Sequence, residues 1–519
     1  MLARARSAVD GATRDLLVVV GLLVLAAALR FVDLPTRGTW DSDQGNDMLV
    51  LRGLVLDGRV PLLGPPTSIG DFHHGVLYYY LLAPAAALTG ADPIGVVGAI
   101  ALAGVAAVGV TWWLARSIGG SVAAAVAGLL MAVSTSAVDE STFIWNPNLI
   151  ALSSSVALAG AWRAWTSGRP GWWIVAAAGA IVTMHCHVLG TVLLPVVGGL
   201  LVADIRRHDP GAERTARLRM AGLGAALLIA SYAPLAVHEL SNDFSETRAA
   251  IDFVTGGGEP SGTALPARLA VVAIRVLSWP LSGLITDAPV AALLAAALVV
   301  VLVTWRALAA TGEERTAARW FGLGLAWSVA ALTVGASGLA SVVPGLPNDH
   351  YHAFVDPIVF VVVGLGAAAI WRWRPGPGPA GRPIAGPALA IALVGAIVAF
   401  NLANQPPPVH PDGGWPAGRR AADRVLAAVG DRPIVLDSLP DFKPAHALRF
   451  PLVASGAGIV PAGGDAAARV VLCDDLFRDA IGAACGGPAE DASIGGGAVV
   501  VSERFEAAPG RWISVYLPR

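Results

Sequence analysis

"TWDSDQGNDMLVLRGLVLDG", Thr39 to Gly58, follows the first apolar run of the chain and carries four carboxylates, Asp41, Asp43, Asp47 and Asp57. Its surroundings have the opposite character. The chain has 519 residues, 55% of them hydrophobic and only 14% charged, with a mean hydropathy of +0.64. Soluble domains carry about 25% charged residues. That deficit, with repeated long apolar runs, predicts an all-α polytopic membrane protein. The net charge of −2 excludes a nucleic-acid partner, which would need a basic field to meet phosphates. The cations are 34 Arg and a single Lys, Lys443, which reads as the codon bias of a GC-rich genome without chemical meaning.

Eleven runs are long and apolar enough to span: roughly 16–32, 93–115, 119–138, 149–165, 171–184, 188–203, 219–238, 289–308, 318–341, 353–371 and 384–402. The first is expected to be an uncleaved signal anchor. "HGVLYYYLLAPAAAL", His74–Leu88, is shorter, contains Pro84, and reads as an interfacial or half-inserted helix, with a full span as the alternative. Loop arginines orient the map. With Arg4, Arg6 and Arg14 in the cytoplasm, every other loop is Arg-bearing, while the opposite loops at 139–148, 185–187 and 342–352 have no Arg or Lys. The protein is therefore expected in the plasma membrane, with the N-terminus cytoplasmic. The loops at 33–92 and 239–288 and everything after Asn401 are then extracytoplasmic. A spanning module, 1–402, is followed by a Pro-rich linker, "NQPPPVHPDGG". A small extracytoplasmic α/β domain, 403–519, comes next. Its helices are read at "AGRRAADRVLAAV" and "DLFRDAIGAA", and its strands at "RPIVLDS", "ARVVLC", "AVVVSERF" and "WISVYLP". Cys473 and Cys485 in that domain are candidates for a disulfide. The domain carries no phosphate loop or nucleophile elbow, and docking or gating is its expected role.

Polar residues gather at the predicted outer helix ends. Besides the opening aspartates these are Asp71, His73 and His74; Asp139 and Glu140, with Asn146 and Asn148; His185 and His187; His238, Glu239, Asp243 and Glu246; and Asp349, His350, His352 and Asp356. Ionisable groups near membrane depth are functional candidates by default. Each has a structural alternative. Asp41 or Asp43 can cap a helix beginning near Gln44. His185 and His187 can bond backbone carbonyls. Asn146-Pro147-Asn148 can be a turn, and Tyr78–Tyr80 suits an aromatic belt. Taken together, acids, imidazoles and amides on one face suit a cavity opening outward at the bilayer surface.

The first loop resembles that of the C-type glycosyltransferases, the polytopic enzymes that use polyprenyl-phosphate sugars, and is similar to those of protein O-mannosyltransferases and aminoarabinose lipid A transferases. "DQGNDMLVLRGLVLDG", Asp43–Gly58, has the layout of their acidic motif and following helix, with Gln44 in place of a second acid that Asp41 can supply from the other side. "HGVLYY", His74–Tyr79, stands at their His- or Lys-Pro-Pro-Leu-Tyr-Tyr element. "FIWNPNLIAL" stands at their polar loop, with Asn148 where an acid is common, and "DHYHAFVDP" at a late Arg-Tyr motif, with His350 in the Arg position.

The resemblance implies inverting transfer of a sugar from a polyprenyl-phosphate donor in the bilayer to the hydroxyl of an extracytoplasmic glycan, lipid or protein. Asp43 is then the base, and Asp41 orients the site or binds metal. Arg52, Arg59, His73, His74, Tyr78, Asn148, His350 and Tyr351 are candidate substrate contacts. A divalent metal, Mg or Mn, is a candidate for the departing phosphate charge, with Asp41, Asp43 and His74 as its candidate ligands. The alternatives are a transporter or flippase of lipid-linked sugars and an inactive scaffold of the same fold. A transporter would want polar groups through the helix midplanes, whereas here polarity concentrates at one face. The orientation predicts that a C-terminal reporter active only outside the cytoplasm will be active. Activity of a cytoplasm-only reporter there would overturn the map.

Overall fold

The computed structural model describes residues 2–67, 71–256, 262–340, 349–374, 384–461, 467–494 and 499–519. Its larger part is a helical bundle. Among the described residues, eight helices are long and apolar enough to cross a membrane: Gly11–Phe31, Pro93–Val133, Val188–Arg206, Leu265–Ser282, Pro289–Ala309, Gly312–Gly335, Tyr351–Arg372 and Ala385–Ala403. A ninth is the pair Ala212–Ser231 and Ala233–Ser241, if its 41° bend is one broken span.

The expected eleven differ from this set for physical reasons. The runs at 93–115 and 119–138 are two helices joined at a kink at Gly120, whose φ of 82° only glycine adopts readily, and stand together as Pro93–Val133 above. The helices Ile150–Ser167 and Trp172–Cys186 sit where expected but are too short or too polar to meet the length and hydropathy of a span. Leu77–Leu88 is a short apolar helix, as read.

The expected loop at 239–288 needs correction. It contains two helices, Ser245–Thr255 and Leu265–Ser282. Arg268, Arg275 and Pro280 interrupt the apolar run of the second, whose mean hydropathy of 1.3 still meets that of a span. Several of its polar contacts run to the ends of neighbouring helices. Arg268 donates to Thr333 O, and Arg275, buried, to Leu339 O (2.6 Å). At its other end Ser134 and Ser136 donate to Pro280 O and Trp279 O, and Asn401 to Leu281 O.

Where the first span ends, Arg30 is fully buried. Its guanidinium donates to the carbonyls of Ala26, Met131, Ala132 and Ala137 and to Ser141 Oγ, at 3.0–3.3 Å. Carbonyls at a helix C-terminus lack internal partners, so one cation satisfies several of them and fixes where the first loop leaves the bundle. Asp412 in the Pro-rich linker then holds that loop. It accepts from Thr39 Oγ1 (2.6 Å), Trp40 N (3.0 Å) and Gly414 N (2.8 Å) and pairs with His410 (2.7 Å). Burial alone would raise the Asp412 pKa, but these bonds bring it down to about 2.

The C-terminal segment forms a four-stranded sheet of order β1-β2-β4-β3, from Ile434–Leu439, Ala468–Asp474, Arg511–Pro518 and Val499–Ala508 respectively. β1 and β2 are parallel and the other pairs antiparallel. The helix Gly414–Val429 packs on the sheet through Val425 and Val429, against Ile434, Val470, Leu472 and Val515. The read helix at 475–484 is only a short turn and a four-residue helix, Arg478–Ile481. Cys473 and Cys485 are bonded, with Cα atoms 5.7 Å apart.

One helix that the reading missed, His446–Ala454, links β1 to β2 and seats on the first loop. The acidic stretch itself is the helix Ser42–Asp57. The two meet at Gly45, where an added Cβ would fall 2.1 Å from the carbonyl oxygen of His446. Gly45→Ala should therefore force the two apart and destabilise the protein by ~1–3 kcal/mol, read as a lower thermal unfolding midpoint in detergent. An unchanged midpoint would mean the two helices are not seated on each other.

Candidate active site

The helix Ser42–Asp57 begins with a capping box. Asp41 is the N-cap and accepts from Ser42 N (2.7 Å), while the Gln44 side chain accepts from Asp41 N (2.8 Å). Gln44 also donates to Ile144 O (2.9 Å). The helix ends at Gly58 in a left-handed conformation, φ 67°. Between these stops, positions 43 and 47 are one turn apart and share a face. Both face a cavity of about 570 Å³.

Most of the predicted outer face contributes to that cavity, but none of its described lining residues comes from 239–288. Asn46 comes from the acidic helix, His74 from the first loop, Trp145 and Asn146 from the second, His187 from the third, and Leu339 and Tyr351 from the fifth. Phe442, Pro444 and His446 come from the C-terminal segment. Neither Arg nor Lys is among its lining residues in the described part of the chain.

The three aspartates differ in state. Asp41 does not line the cavity. Its oxygens meet Lys443 (2.7 Å) and Arg511 (2.9 Å). Burial pushes its pKa upward, but Arg511 and Lys443 outweigh that and hold it below the usual carboxylate value. Asp43 lines the cavity and has no hydrogen-bond partner among the described residues. It is exposed on the cavity wall, yet protein lies close around it. Burial by that protein, then neighbouring Asp41, raises its pKa against the pull of Lys443. Asp47 is 2% exposed and accepts from Tyr78 (2.9 Å) and Tyr79 (2.8 Å). Burial pushes its pKa up to about 7, although the two phenols favour the charged form.

The imidazoles fall in two groups. His74 is buried between the main cavity and a smaller one, and burial, with His73 beside it, lowers its pKa to about 4. Its ring lies 4.5 Å from that of His187, which stacks on Tyr351 at 4.4 Å; Tyr351 also meets Trp145 edge-on at 5.7 Å. His73 points away and pairs with Glu246 (3.1 Å).

Of the sequence candidates, Asp43, His74 and Tyr351 meet in one cavity. The others are placed elsewhere. Arg52 and Arg59 do not line it, and Arg59 pairs with Asp57. Tyr78 supports Asp47 from behind, and the Asn148 amide donates to Phe143 O (2.8 Å) while its neighbour Asn146 faces the cavity. His350 falls in the short 3-10 helix Asp349–Val355, and its side chain lies outside the described part of the structure. Asp41, Asp43 and His74 do not fit a metal, because Asp41 is already shared between two cations. Among the described residues no group of three or more His, Cys, Asp or Glu is arranged to hold one.

Residues 73–238 match the family model described as dolichyl-phosphate-mannose-protein mannosyltransferase. A search of curated protein sequences finds no match. Among solved structures, ArnT from Cupriavidus metallidurans bound to undecaprenyl phosphate superposes with a TM-score of 0.60 at 14% identity, covering 96% of this chain and 97% of that one. Its apo form gives 0.58 at the same identity and coverage. The Archaeoglobus fulgidus oligosaccharyltransferase tethered to an acceptor peptide gives 0.51 at 13% identity, over 89% of this chain and 69% of that one.

The fold is that of the C-type glycosyltransferases. In this C-type frame the cavity occupies the bundle end that carries the acidic helix.

Sequence reasoning counted Asp47 among the polar residues of the first loop but gave it no role, although its spacing from Asp43 is the helical signal that marks a shared face. Asp47's raised pKa makes a separate test. A carboxylate whose folded pKa lies above its unfolded value stabilises the fold at low pH and loses that contribution as pH rises through the folded value. Stability should therefore decline between about pH 4 and 7, and Asp47→Asn should flatten that decline. Thermal unfolding across this range checks it; an unchanged slope would mean Asp47 titrates normally.

Proposed function

We propose that the protein is a membrane glycosyltransferase that moves a sugar from a polyprenyl-phosphate donor to a hydroxyl acceptor, with inversion. The supporting observation is Asp43, a cavity-lining carboxylate with no hydrogen-bond partner among the described residues, while Asp41 and Asp47 are held by cations and phenols. An acceptor oxygen attacks the anomeric carbon, and its proton passes to Asp43. The bond between the anomeric carbon and the phosphate oxygen breaks, and the lipid phosphate departs with that electron pair. A positioned base of this kind contributes ~10²–10⁴-fold. His74, His187 and His446 are the lining groups that could donate to the phosphate. The ArnT structure is bound to undecaprenyl phosphate, which supports a polyprenyl-phosphate donor here. Asp41 serves as a positioning residue in this reading, and the outer placement of residues 403–519 follows the loop arginines.

Asp43→Asn preserves size, and the cap at Asp41 is untouched, but the amide cannot accept the proton. With polyprenyl-phosphate mannose, arabinose and glucose as donors, turnover of the variant should fall by ~10²-fold or more while donor binding persists. Full turnover by the variant would remove Asp43 as base, and absence of transfer by the wild-type protein with any such donor would remove the reading.

A further inference from the structure

Lys443 is the only lysine beside 34 arginines. It stands on the loop between β1 and the helix His446–Ala454 and touches two carboxylates, Asp41 on the acidic helix (2.7 Å) and Asp474 at the end of β2 (3.3 Å). Asp41 lies 402 positions away in the chain. The residues around Lys443 form the cavity wall: Phe442, Pro444 and His446 all line it. Further bonds follow the same seam. Ser42 Oγ donates to Pro444 O (2.6 Å), Trp40 Nε1 to Ala447 O (2.8 Å) and Arg511 to Trp40 O (3.0 Å).

We infer that Lys443 is a positioning residue: it clasps the acidic helix to the C-terminal segment and so completes the cavity around Asp43. Three features carry this. First, the lysine joins one carboxylate from each side of the seam. A compact ammonium with three rotatable donors can serve two separate acceptors at once. Second, Lys443 is only partly exposed, with 22% of its side chain accessible, so water does not fully screen the pair. Third, the wall residues flank Lys443 on both sides, so a lost clasp frees the wall and not a distant surface. Only the kinetic arm of the test rests on the proposed transfer reaction.

The test uses the full-length chain in lipid nanodiscs. Ser42→Cys with Pro444→Cys places two thiols across the seam, and the one free native cysteine, Cys186, is buried. Linking by a short bismaleimide is read by mass spectrometry. It should be fast with Lys443, slower by about 5-fold with Lys443→Met, and near the original rate with Lys443→Arg, which restores the charge. Equal linking in Lys443→Met, or equal slowing in Lys443→Arg, would overturn the clasp. In the absence of the added thiols, Lys443→Met should lower kcat by about 10-fold or more with little change in donor KM. Unchanged kcat beside slowed linking would overturn the positioning role. Slowed linking in a protein that transfers no sugar would support the clasp and overturn the transfer reading instead.

Discussion

Asp41 is the constraint on which the site depends. One carboxylate caps a helix, answers Lys443 and answers Arg511, so three segments far apart in sequence meet at a single anion. No other arrangement of those segments would leave it so well compensated. An unpaired carboxylate at this depth would be costly and would take up a proton instead. Because the cap is fixed, the face of the helix that carries Asp43 and Asp47 is fixed too. The geometry of the cavity is thus inherited from a residue outside it.

The buried arginines show how the bundle tolerates charge. Arg30 and Arg275 use backbone carbonyls at helix ends and loops, while Arg217 meets Asp204 (2.9 Å) and Glu213. Guanidinium suits this work, because its five donors can serve several carbonyls at once. Lys443 serves a different need, two carboxylates on two sides of a seam, and there the chain departs from arginine.

The bundle was legible in the sequence wherever apolar runs were long and their loops basic on one side only. Leu265–Ser282 was passed over because Arg268 and Arg275 dilute its hydropathy to 1.3, although backbone carbonyls receive both. The membrane-side half of the cavity was legible for a related reason. Polar residues at the ends of apolar runs stand out, and Asp43, His74 and Tyr351 were read that way. The other half was hidden. Nothing local in "PDFKPAHALRF" indicates that Lys443 reaches Asp41 or that His446 faces the same recess. Local pattern carries no information about a contact across 402 positions, and the lone lysine was misread as compositional noise.

The three aspartates divide their roles by environment, not by residue type. Cations hold Asp41 ionised. Two phenols and near-complete burial leave Asp47 titrating near neutrality, at about 7. Asp43, between them in sequence, has neither cation nor phenol bonded to it, and this leaves its lone pairs available to a ligand in the cavity. Two nearby charges pull its basicity in opposite directions. Asp41 raises it and Lys443 lowers it. A base must hold a proton firmly enough to take it from an alcohol and loosely enough to be ionised beforehand. The clasp that builds the wall therefore also sets the field in which Asp43 would work, so the assembly and the basicity of the site share one ion pair.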